Sequence, residues 1–456
     1  KSDSADRSAS VQRMVVTRSW SRLDVFELGA SEAREPGLVL VAPGAYTARE
    51  VSRAIGAGSS AVVDLPALSA DRSADQQFAD FWEGRVGARL PESTGLSVVF
   101  STGGATTTNP DTAMLFRLTQ AVLRTRIAKD LRLVFHVLRS DDRALAWAQA
   151  CVSFMRCVAM ENPRVSSRVV LMDAPLDVTT YRWLARATAL AAPVLDDTLV
   201  RVDDRGGISS LDVVLDRAGQ DRAAAGRRTE ATAFFVTGGT GGLARVIAQE
   251  LVRRGAPRVV LCGRRRREEL DAGLVGILER GHGTISYVSS DLSSGDEVMR
   301  LLGKARAQTE GLCVVHAAGV RNDAFLIKQD IQLFLKTAAP KTDLLDTLVT
   351  AVRSMPDASL VAFSSVTALL GNLGQSAYAF ANGYMDGLAL RERQRGDAGG
   401  RILSIGWPLW DEGGMQIDEQ ARELMRSRTG LVPLDTQTGV DFLLEKVEGG
   451  ATGSEV

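Results

Sequence analysis

The sequence predicts an α/β protein with two Rossmann-like, doubly wound parallel-sheet domains. Three observations support this fold class. Short apolar runs rich in β-branched residues alternate with helix-length amphipathic stretches in both halves of the chain. Residues 216–231 are mostly small or charged and show no periodic apolar positions, and they separate the two halves. The length of 456 residues allows two domains with separate cores. We therefore place the domains at 1–228 and 229–456.

The predicted strands follow from the apolar runs. In the first half they are 38–42, 97–100, 132–137 and 168–172. In the second half they are 232–236, 258–262, 284–288, 313–317, 359–363 and 401–405. Each run of the second half is followed by polar or glycine-rich residues and then by a helical pattern, which is typical of repeated βα units.

Composition argues against several classes of function. The net charge is -1 and no basic stripe is present, so neither nucleic acid nor an anionic membrane surface is an expected partner. No apolar run approaches the ~20 residues of a membrane span, and the start of the chain lacks a signal-peptide core, so we expect a cytoplasmic protein. The 4 cysteines form no CxxC pair and only 3 histidines are present, so we expect no metal site. The lysine at position 1 and the glycine-rich end suggest a piece of a longer polypeptide.

Glycines after the first strand of the second half form a candidate phosphate loop. The stretch TGGTGGLA, 237–244, opens a helical pattern. Glycines let the backbone approach a pyrophosphate, and a helix N-terminus supplies free amides and a partial positive charge. The alternative is a tight strand-to-helix connection without a ligand. The first half has no such fingerprint after a strand, so no bound dinucleotide is predicted there.

Charged residues after the next two strands indicate which dinucleotide would bind. Arg264 and Arg265 follow the second strand directly, where an arginine can pair with the 2′-phosphate of NADPH. A solvated arginine patch is the alternative for this run. Asp291 follows the third strand and either closes an adenine pocket or caps the next helix; the sequence does not distinguish these roles.

A serine and a tyrosine form a candidate acid pair. Ser365 ends a predicted strand, and Tyr378 lies 13 residues later on the following helix. A phenol with an ordinary pKa near ~10 needs a nearby cation to donate its proton readily at neutral pH. Asn382, one helical turn after the tyrosine, carries no charge. Lysine is scarce in this chain, which draws attention to Lys341 in TAAPKTDLLDTL.

These motifs together resemble the short-chain dehydrogenase/reductase superfamily, and more closely the ketoreductase domain of modular polyketide synthases. The matching stretches cover the second half: TGGTGGLA, VVHAAGV (314–320), Pro340-Lys341, FSSV (363–366), GQSAYAFAN (374–382) and SIGWPLW (404–410). Trp20 and FMRCVAMENPR (154–164) liken the first half to the structural subdomain of that family, a truncated fold without cofactor that braces the catalytic part.

The resemblance implies specific catalytic roles. Lys341, from the preceding long helix, replaces the lysine that most of the superfamily carries four residues after the tyrosine. Ser365 hydrogen-bonds the substrate oxygen, Tyr378 donates the proton, Lys341 lowers the tyrosine pKa, and Asn382 holds a water that resupplies protons. The alternatives are a surface position for Lys341, ordinary core hydroxyls for Ser365 and Tyr378, and a bond from Asn382 to the backbone.

The remaining site positions form two sets. The cofactor set is Thr237, Gly238, Gly239, Thr240, Gly241, Gly242, Leu243, Arg264, Arg265, Asp291, Leu292, Ala317, Ala318 and Gly319. The substrate and stereocontrol set is Asp323, Leu370, Gln375, Trp407 and Met415. In the candidate phosphate loop, Ala244 stands where the family usually has its last glycine. After the next strand, Gly263 replaces a serine that is common in the family.

By the same resemblance, the substrate is a β-ketoacyl thioester on the phosphopantetheine arm of an acyl carrier protein, reduced with NADPH beside neighbouring synthase domains. Of the LDD motif that marks B-type products, Arg321-Asn322-Asp323 keeps the last aspartate, and Leu370 occupies the position of the tryptophan that marks the other type. We therefore expect B-type stereochemistry. Residues 407–430 resemble a hinged lid of modules that use a separate acyltransferase; core packing is the alternative for Trp407 and Trp410.

Two rival functions stay open at this point. The first is a reductase-derived domain that no longer reduces, acting as a scaffold or as an epimerase of the α-substituent. The second is a free-standing NADPH reductase of small ketones. Turnover of a small thioester compared with a carrier-bound substrate would discriminate among them.

Overall fold

The described part of the chain covers most of the sequence. The computed structural model describes residues 16–22, 38–43, 47–55, 61–68, 73–88, 95–102, 110–126, 130–139, 143–180, 183, 199–215, 229–396, 401–413, 418–449 and 453–455. None of the helices within these ranges combines the length and hydropathy that crossing a membrane requires.

The strands of the described residues lie in one mixed sheet. Their bounds are β1 Val16–Arg22, β2 Leu38–Val41, β3 Ala61–Asp64, β4 Gly95–Thr102, β5 Leu131–Arg139, β6 Val165–Met172, β7 Leu199–Val202, β8 Ile208–Leu215, β9 Thr232–Thr237, β10 Arg258–Gly263, β11 Ile285–Ser289, β12 Gly311–His316, β13 Ala358–Ser365, β14 Arg401–Trp407 and β15 Gly453–Glu455. Their order across the sheet is β11-β10-β9-β12-β13-β14-β15-β1-β8-β7-β6-β5-β4-β2-β3.

The strand order confirms two doubly wound units. In the second half, β11-β10-β9-β12-β13-β14 is parallel and reverses direction of winding between β9 and β12. In the first half, β3-β2-β4-β5-β6 is parallel and reverses between β2 and β4. In open α/β sheets, ligands bind at the carboxyl ends of strands beside such a reversal. The candidate site should therefore lie where β9 and β12 end.

All ten predicted strands are present, with ends that differ by up to three residues. The sequence reasoning missed β1, β3, β7, β8 and β15. These strands are short or interrupted by polar residues, so they lack the apolar runs on which the prediction relied. They include the antiparallel segments β7, β8 and β1, which, with β15, join the two parallel units into one sheet. Residues 216–228, which contain the predicted domain boundary, lie outside the described residues, so that boundary stays a prediction.

The helices cover both faces of the sheet. Their bounds are α1 Ala48–Ile55, α2 Ser73–Trp82, α3 Pro110–Arg124, α4 Ala144–Glu161, α5 Gly242–Arg253, α6 Ala272–Arg280, α7 Gly295–Arg306, α8 Ile331–Arg353, α9 Thr367–Leu370, α10 Ser376–Arg395, α11 Glu419–Thr429 and α12 Thr436–Glu448. Helix α8 contains Pro340 in its interior, immediately before Lys341.

An aromatic cluster joins the two halves. Phe334 of α8 is fully buried, and its ring centre lies 5.2 Å from that of Phe116, 5.8 Å from Phe154 and 5.4 Å from Phe380. Phe116 and Phe154 belong to α3 and α4 of the first half, whereas Phe380 belongs to α10 of the second. Buried aromatic side chains of this kind contribute several kcal/mol each to stability, on the order of 3 to 5 when truncated to alanine. The halves therefore share one hydrophobic core.

Glycines allow α4 and α10 to approach closely. A Cβ on Gly383 would lie 2.3 Å from Ser153 Oγ, and one on Gly387 would lie 2.7 Å from Ala146 Cα. Both distances are too short for a real Cβ, so α10 uses glycine where α4 crosses it. The tyrosine predicted as proton donor lies on this helix, so the first half fixes the position of the helix that carries it.

Candidate active site

The predicted phosphate loop lies at the carboxyl end of β9. Gly238 adopts φ +72°, and α5 begins at Gly242 with Gly241 as an extended N-cap residue that provides no capping side chain. A Cβ on Gly239 would lie 2.7 Å from the Cys262 amide nitrogen. Glycine is therefore required for the loop to pass this close to β10. The uncapped helix N-terminus fits a pyrophosphate, which its amides and partial positive charge would bind.

The loop packs against the end of β12. The Ala318 amide donates to Thr237 Oγ1 at 3.3 Å, and Thr237 Oγ1 lies 2.8 Å from Nδ1 of His316, a fully buried side chain. Burial lowers the pKa of His316 to about 3, and the charge of Lys341 adds to this shift. The histidine is therefore neutral at physiological pH and adds no second positive charge beside Lys341.

The arginines predicted to bind the 2′-phosphate are exposed at the carboxyl end of β10. Arg264 and Arg265 are exposed directly after β10, and Asp291 is exposed after β11. Hydrogen bonds from Ser293, together with the charge of Arg264, lower the pKa of Asp291. The helix-cap alternative for Asp291 is wrong, because Ser294 is the N-cap residue of α7 and Asp291 accepts from the Ser293 amide instead. The exposed guanidinium groups fit a phosphate at the ribose position.

Lys341 points into the protein. Its side chain is 4% exposed, and Nζ donates to the Phe363 carbonyl at 2.6 Å and to Asn382 Oδ1 at 3.1 Å. Nζ lies 5.7 Å from the centre of the Tyr378 ring. A Cβ on Gly319 would lie 2.7 Å from Lys341 Cε, so glycine at this position leaves room for the lysine. The surface alternative for Lys341 is therefore wrong.

Burial also sets the charge of this lysine. It lowers the pKa of Lys341 from its ordinary 10.5 to about 7, and the charge of Asp386 opposes the shift. Asp386 is fully buried on α10; it accepts from Ser404 Oγ at 2.7 Å and pairs with Arg18 Nη1 at 2.5 Å. Arg18 belongs to β1, so a residue of the first half forms an ion pair with Asp386. The negative charge of Asp386 in turn favours the ammonium form of Lys341.

Tyr378 and Asn382 share one face of α10 at a spacing of one turn. Asn382 is fully buried and donates through Nδ2 to the Tyr378 carbonyl at 2.7 Å, while its Oδ1 accepts from Lys341. The backbone bond that was the alternative for Asn382 is thus present, and the same side chain also contacts the lysine. Burial raises the pKa of Tyr378, and hydrogen bonds with Ser365 and Asn382 oppose this effect. The phenol therefore keeps its proton at neutral pH.

A series of polar contacts extends from Ser365 to the predicted substrate residues Gln375 and Asp323. Ser365 Oγ lies 3.2 Å from Thr367 Oγ1, which lies 3.3 Å from Gln375 Oε1. Gln375 Nε2 donates to Asp323 Oδ2 at 3.0 Å, and Arg321 Nε lies 3.3 Å from the same oxygen. The structure therefore brings together Ser365, Tyr378, Lys341 and Asn382, and connects them to the predicted substrate residues Gln375 and Asp323.

Comparisons with known proteins agree with this geometry. The KR domain family matches residues 232–412. Residues 232–412 belong to the ketoreductase family. The polyketide synthase ThaG of Burkholderia thailandensis is 33% identical over 346 residues, which are 73% of this chain and 6% of that protein. The polyketide synthase GfsA of Streptomyces halstedii is 32% identical over 300 residues, 65% of this chain and 4% of that protein.

These relatives place the KR domain among the ketoreductase domains of polyketide synthases, within the short-chain dehydrogenase/reductase superfamily. The chain spans only a small fraction of the length of these relatives. Among solved structures, a ketoreductase domain from the bacillaene assembly line is similar at a TM-score of 0.71 and 20% identity, covering 97% of this chain and 95% of that one. A ketoreductase from the macrolactin assembly line is similar at a TM-score of 0.73 and 20% identity, covering 97% and 91%. This likeness shows the fold.

The KR-domain fold implies a nicotinamide cofactor, and the loop, the β12 end and the exposed arginines fit one.

The other predicted residues are distributed differently. Leu370 is 50% exposed, whereas Trp407 packs in the core, its ring centre 5.1 Å from Trp410 and 5.6 Å from Phe442. The core-packing alternative for the two tryptophans is thus favoured. Met415 lies outside the described residues, and the lid role of 407–430 stays a prediction.

Two residues important to the KR site escaped the sequence reasoning. Asp386 lies eight residues after Tyr378 and four after Asn382, so it continues their helical face, and this spacing could have revealed it. His316 was considered only in a matching motif and in the count of histidines, and its place at the end of a predicted strand was the signal that could have indicated the site. Among the described residues, no group of three or more His, Cys, Asp or Glu side chains is arranged to hold a metal ion.

Proposed function

We propose that this KR domain reduces a β-ketoacyl thioester, carried on the phosphopantetheine arm of an acyl carrier protein, to the β-hydroxyacyl thioester with NADPH. Ketoreductase domains of polyketide synthases reduce β-keto groups, and the relatives of this chain are much longer synthases. One observation carries the proposal. A buried lysine from α8, Lys341, lies against Tyr378 and Asn382 of α10, which is the arrangement the resemblance implies.

Each catalytic side chain has a distinct task in this proposal. NADPH, held by the phosphate loop, the end of β12 and the two arginines, would supply the hydride for the ketone carbon. Ser365 donates a hydrogen bond to the ketone oxygen as negative charge develops there. Tyr378 donates its proton to the same oxygen. Burial raises the pKa of Tyr378, so the phenol is protonated before reaction. Lys341 in its ammonium form then stabilises the phenolate through space.

Asn382 holds this arrangement together. Its Oδ1 restrains the lysine and its Nδ2 restrains the carbonyl of the turn that carries the tyrosine. We further propose that it orders the water that returns a proton to Tyr378. With Nδ2 and Oδ1 both engaged by protein, this water would share Oδ1, since a carbonyl oxygen has two lone pairs.

The choice of NADPH and the stereochemistry are part of the proposal. Arg264 and Arg265 directly follow β10 and their side chains are exposed, so their guanidinium groups are available to a 2′-phosphate, which supports NADPH over NADH. Asp323, hydrogen-bonded to Gln375, supports the B-type product. Arg264→Ala should raise KM for NADPH by about tenfold, consistent with loss of one charged contact, and leave KM for NADH unchanged.

The decisive experiment follows NADPH oxidation with a synthetic β-ketoacyl thioester and with the same acyl group on a carrier protein, and then determines the chirality of the alcohol. Reduction of both, with a lower KM for the carrier-bound form, supports the proposal. A chain that exchanges the α-hydrogen and inverts the α-carbon without net oxidation of NADPH is the epimerase instead. Equal turnover of unrelated small ketones would support the free-standing reductase.

A further inference from the structure

Two loops flank the catalytic serine and tyrosine. The first, 323–329, begins with Asp323, and the second, 370–375, ends with Gln375. The loops contact each other through the Gln375 to Asp323 hydrogen bond at 3.0 Å and through the Ala324 amide, which donates to the Gly374 carbonyl at 2.8 Å. Because Gln375 also contacts Thr367 and, through it, Ser365, the spacing of the loops is linked to the orientation of the serine hydroxyl.

Glu161, the last residue of α4 in the first half, bridges these two loops. Its Oε2 accepts from the Leu326 amide at 2.7 Å, and its Oε1 accepts from the Gly374 amide at 3.2 Å. One carboxylate therefore holds one backbone amide from each loop. Hydrogen bonds to a charged acceptor are about twice as strong as neutral ones, and this carboxylate is partly buried, so competition from water is reduced.

A second residue of the first half holds the same turn from the other side. Gln120 of α3 is buried, and its Nε2 donates to the carbonyls of Leu326 and Gln329, both at 2.9 Å. Glu161 and Gln120 thus engage opposite polar groups of one short segment. Both residues contact backbone atoms, so they fix where the loops lie whatever side chains the loops present to a substrate.

We propose that Glu161 is a positioning residue for the reduction. Its carboxylate sets the separation of the two loops, and through Gln375 and Thr367 it sets the direction of the Ser365 hydroxyl and hence the face of the ketone that is presented for reduction. This inference rests on the proposed function. It assigns to the first half a part in product stereochemistry as well as in bracing.

Glu161→Gln tests the inference with nearly unchanged volume. The amide nitrogen of glutamine faces a backbone N–H and cannot accept from it, so one of the two loop contacts is lost. We expect amide hydrogen exchange in 324–329 or 370–375 to become about tenfold faster, as loss of one charge-assisted bond implies. With an α-substituted β-ketoacyl thioester, kcat should fall several-fold because the Ser365 hydroxyl is less well directed at the ketone oxygen, and the minor stereoisomer should increase.

Two comparisons make the result decisive. Glu83→Gln, at an exposed glutamate of the first half, should leave exchange, kcat and product ratio as in the wild type. If Glu161→Gln does not fold, Gln120→Met, which removes both donors to the same turn, should give the same changes. Wild-type exchange and wild-type stereoisomer ratio in the folded variant would overturn the inference. Absence of reduction by the wild-type chain would refute the proposed function instead, and the exchange rates would then decide the loop-holding role by themselves.

Discussion

The substitution Lys341→Met tests whether burial lowers the pKa of Lys341 in the folded protein. Burial lowers the pKa of Lys341 from 10.5 to about 7, and an unfolded chain restores the ordinary value. Between pH 7 and 10.5 the unfolded state therefore binds more protons than the folded state, so this group makes the protein more stable as the pH rises through that window. From pH 7 to pH 9 the gain in free energy of unfolding is about 2 kcal/mol for this one lysine.

The assay is urea unfolding of the wild type and of Lys341→Met at pH 7 and pH 9, followed by tryptophan fluorescence. Other groups titrate in the same range, but they do so in both proteins, so the difference between the two pH dependences isolates the lysine. Lys336→Met is the matched control, since Lys336 lies exposed on the same helix. It should keep the wild-type pH dependence.

The same variant connects stability to activity. We expect Lys341→Met to be more stable than the wild type at pH 7, where the charged lysine is unfavourable in its buried position. We also expect it to lose reduction by about 10²-fold or more, because no ammonium remains near the phenol. A Lys341→Met variant whose stability varies with pH as the wild type does would refute the buried-cation interpretation.

Three further predictions can be tested independently. Tyr378→Phe should bind NADPH as the wild type does, by fluorescence titration, and should show no measurable reduction; near wild-type turnover would exclude Tyr378 as the proton donor. Gly319→Ala places a Cβ 2.7 Å from Lys341 Cε and should lower kcat by about tenfold or more, whereas Gly303→Ala, with open space around it, should not; equal kcat values would contradict this account of the lysine's position. The fragment from Thr229 onward should be poorly soluble when expressed alone, since it exposes the aromatic cluster, and a stable, active fragment would count against bracing by the first half.

Sequence reasoning identified most of the candidate catalytic residues because they lie in short local motifs. The glycine loop, the strand-ending Ser365 and the helical pair of Tyr378 and Asn382 depend on spacing within a few residues, and periodicity reveals such relations. The long apolar strands of both halves were predictable for the same reason. Lys341 required the resemblance in addition, since nothing local places it near a tyrosine on another helix.

The missed features depend on contacts between segments far apart in the chain. The Arg18 to Asp386 pair joins β1 to α10, and Glu161 reaches two loops of the other half; neither relation has a local pattern. The same holds for β1 and β15, which are strands because they pair with neighbouring strands where the two parallel units join, and not because their own residues favour a strand. Trp407 was misleading for a different reason. An apolar residue near a site motif is as compatible with a core as with a binding surface, so the sequence alone does not assign it to either.

The pairing of β1 with β15 places the first and last described strands side by side, with Thr17 opposite Glu455. Since the two strands are antiparallel, tension transmitted along a polypeptide through these strands would arrive and depart at adjacent points. Such a load would peel the pair open from one end, one contact after another. Because Arg18, the residue after Thr17, pairs with Asp386, opening of β1 would reach the buried carboxylate that acts on Lys341.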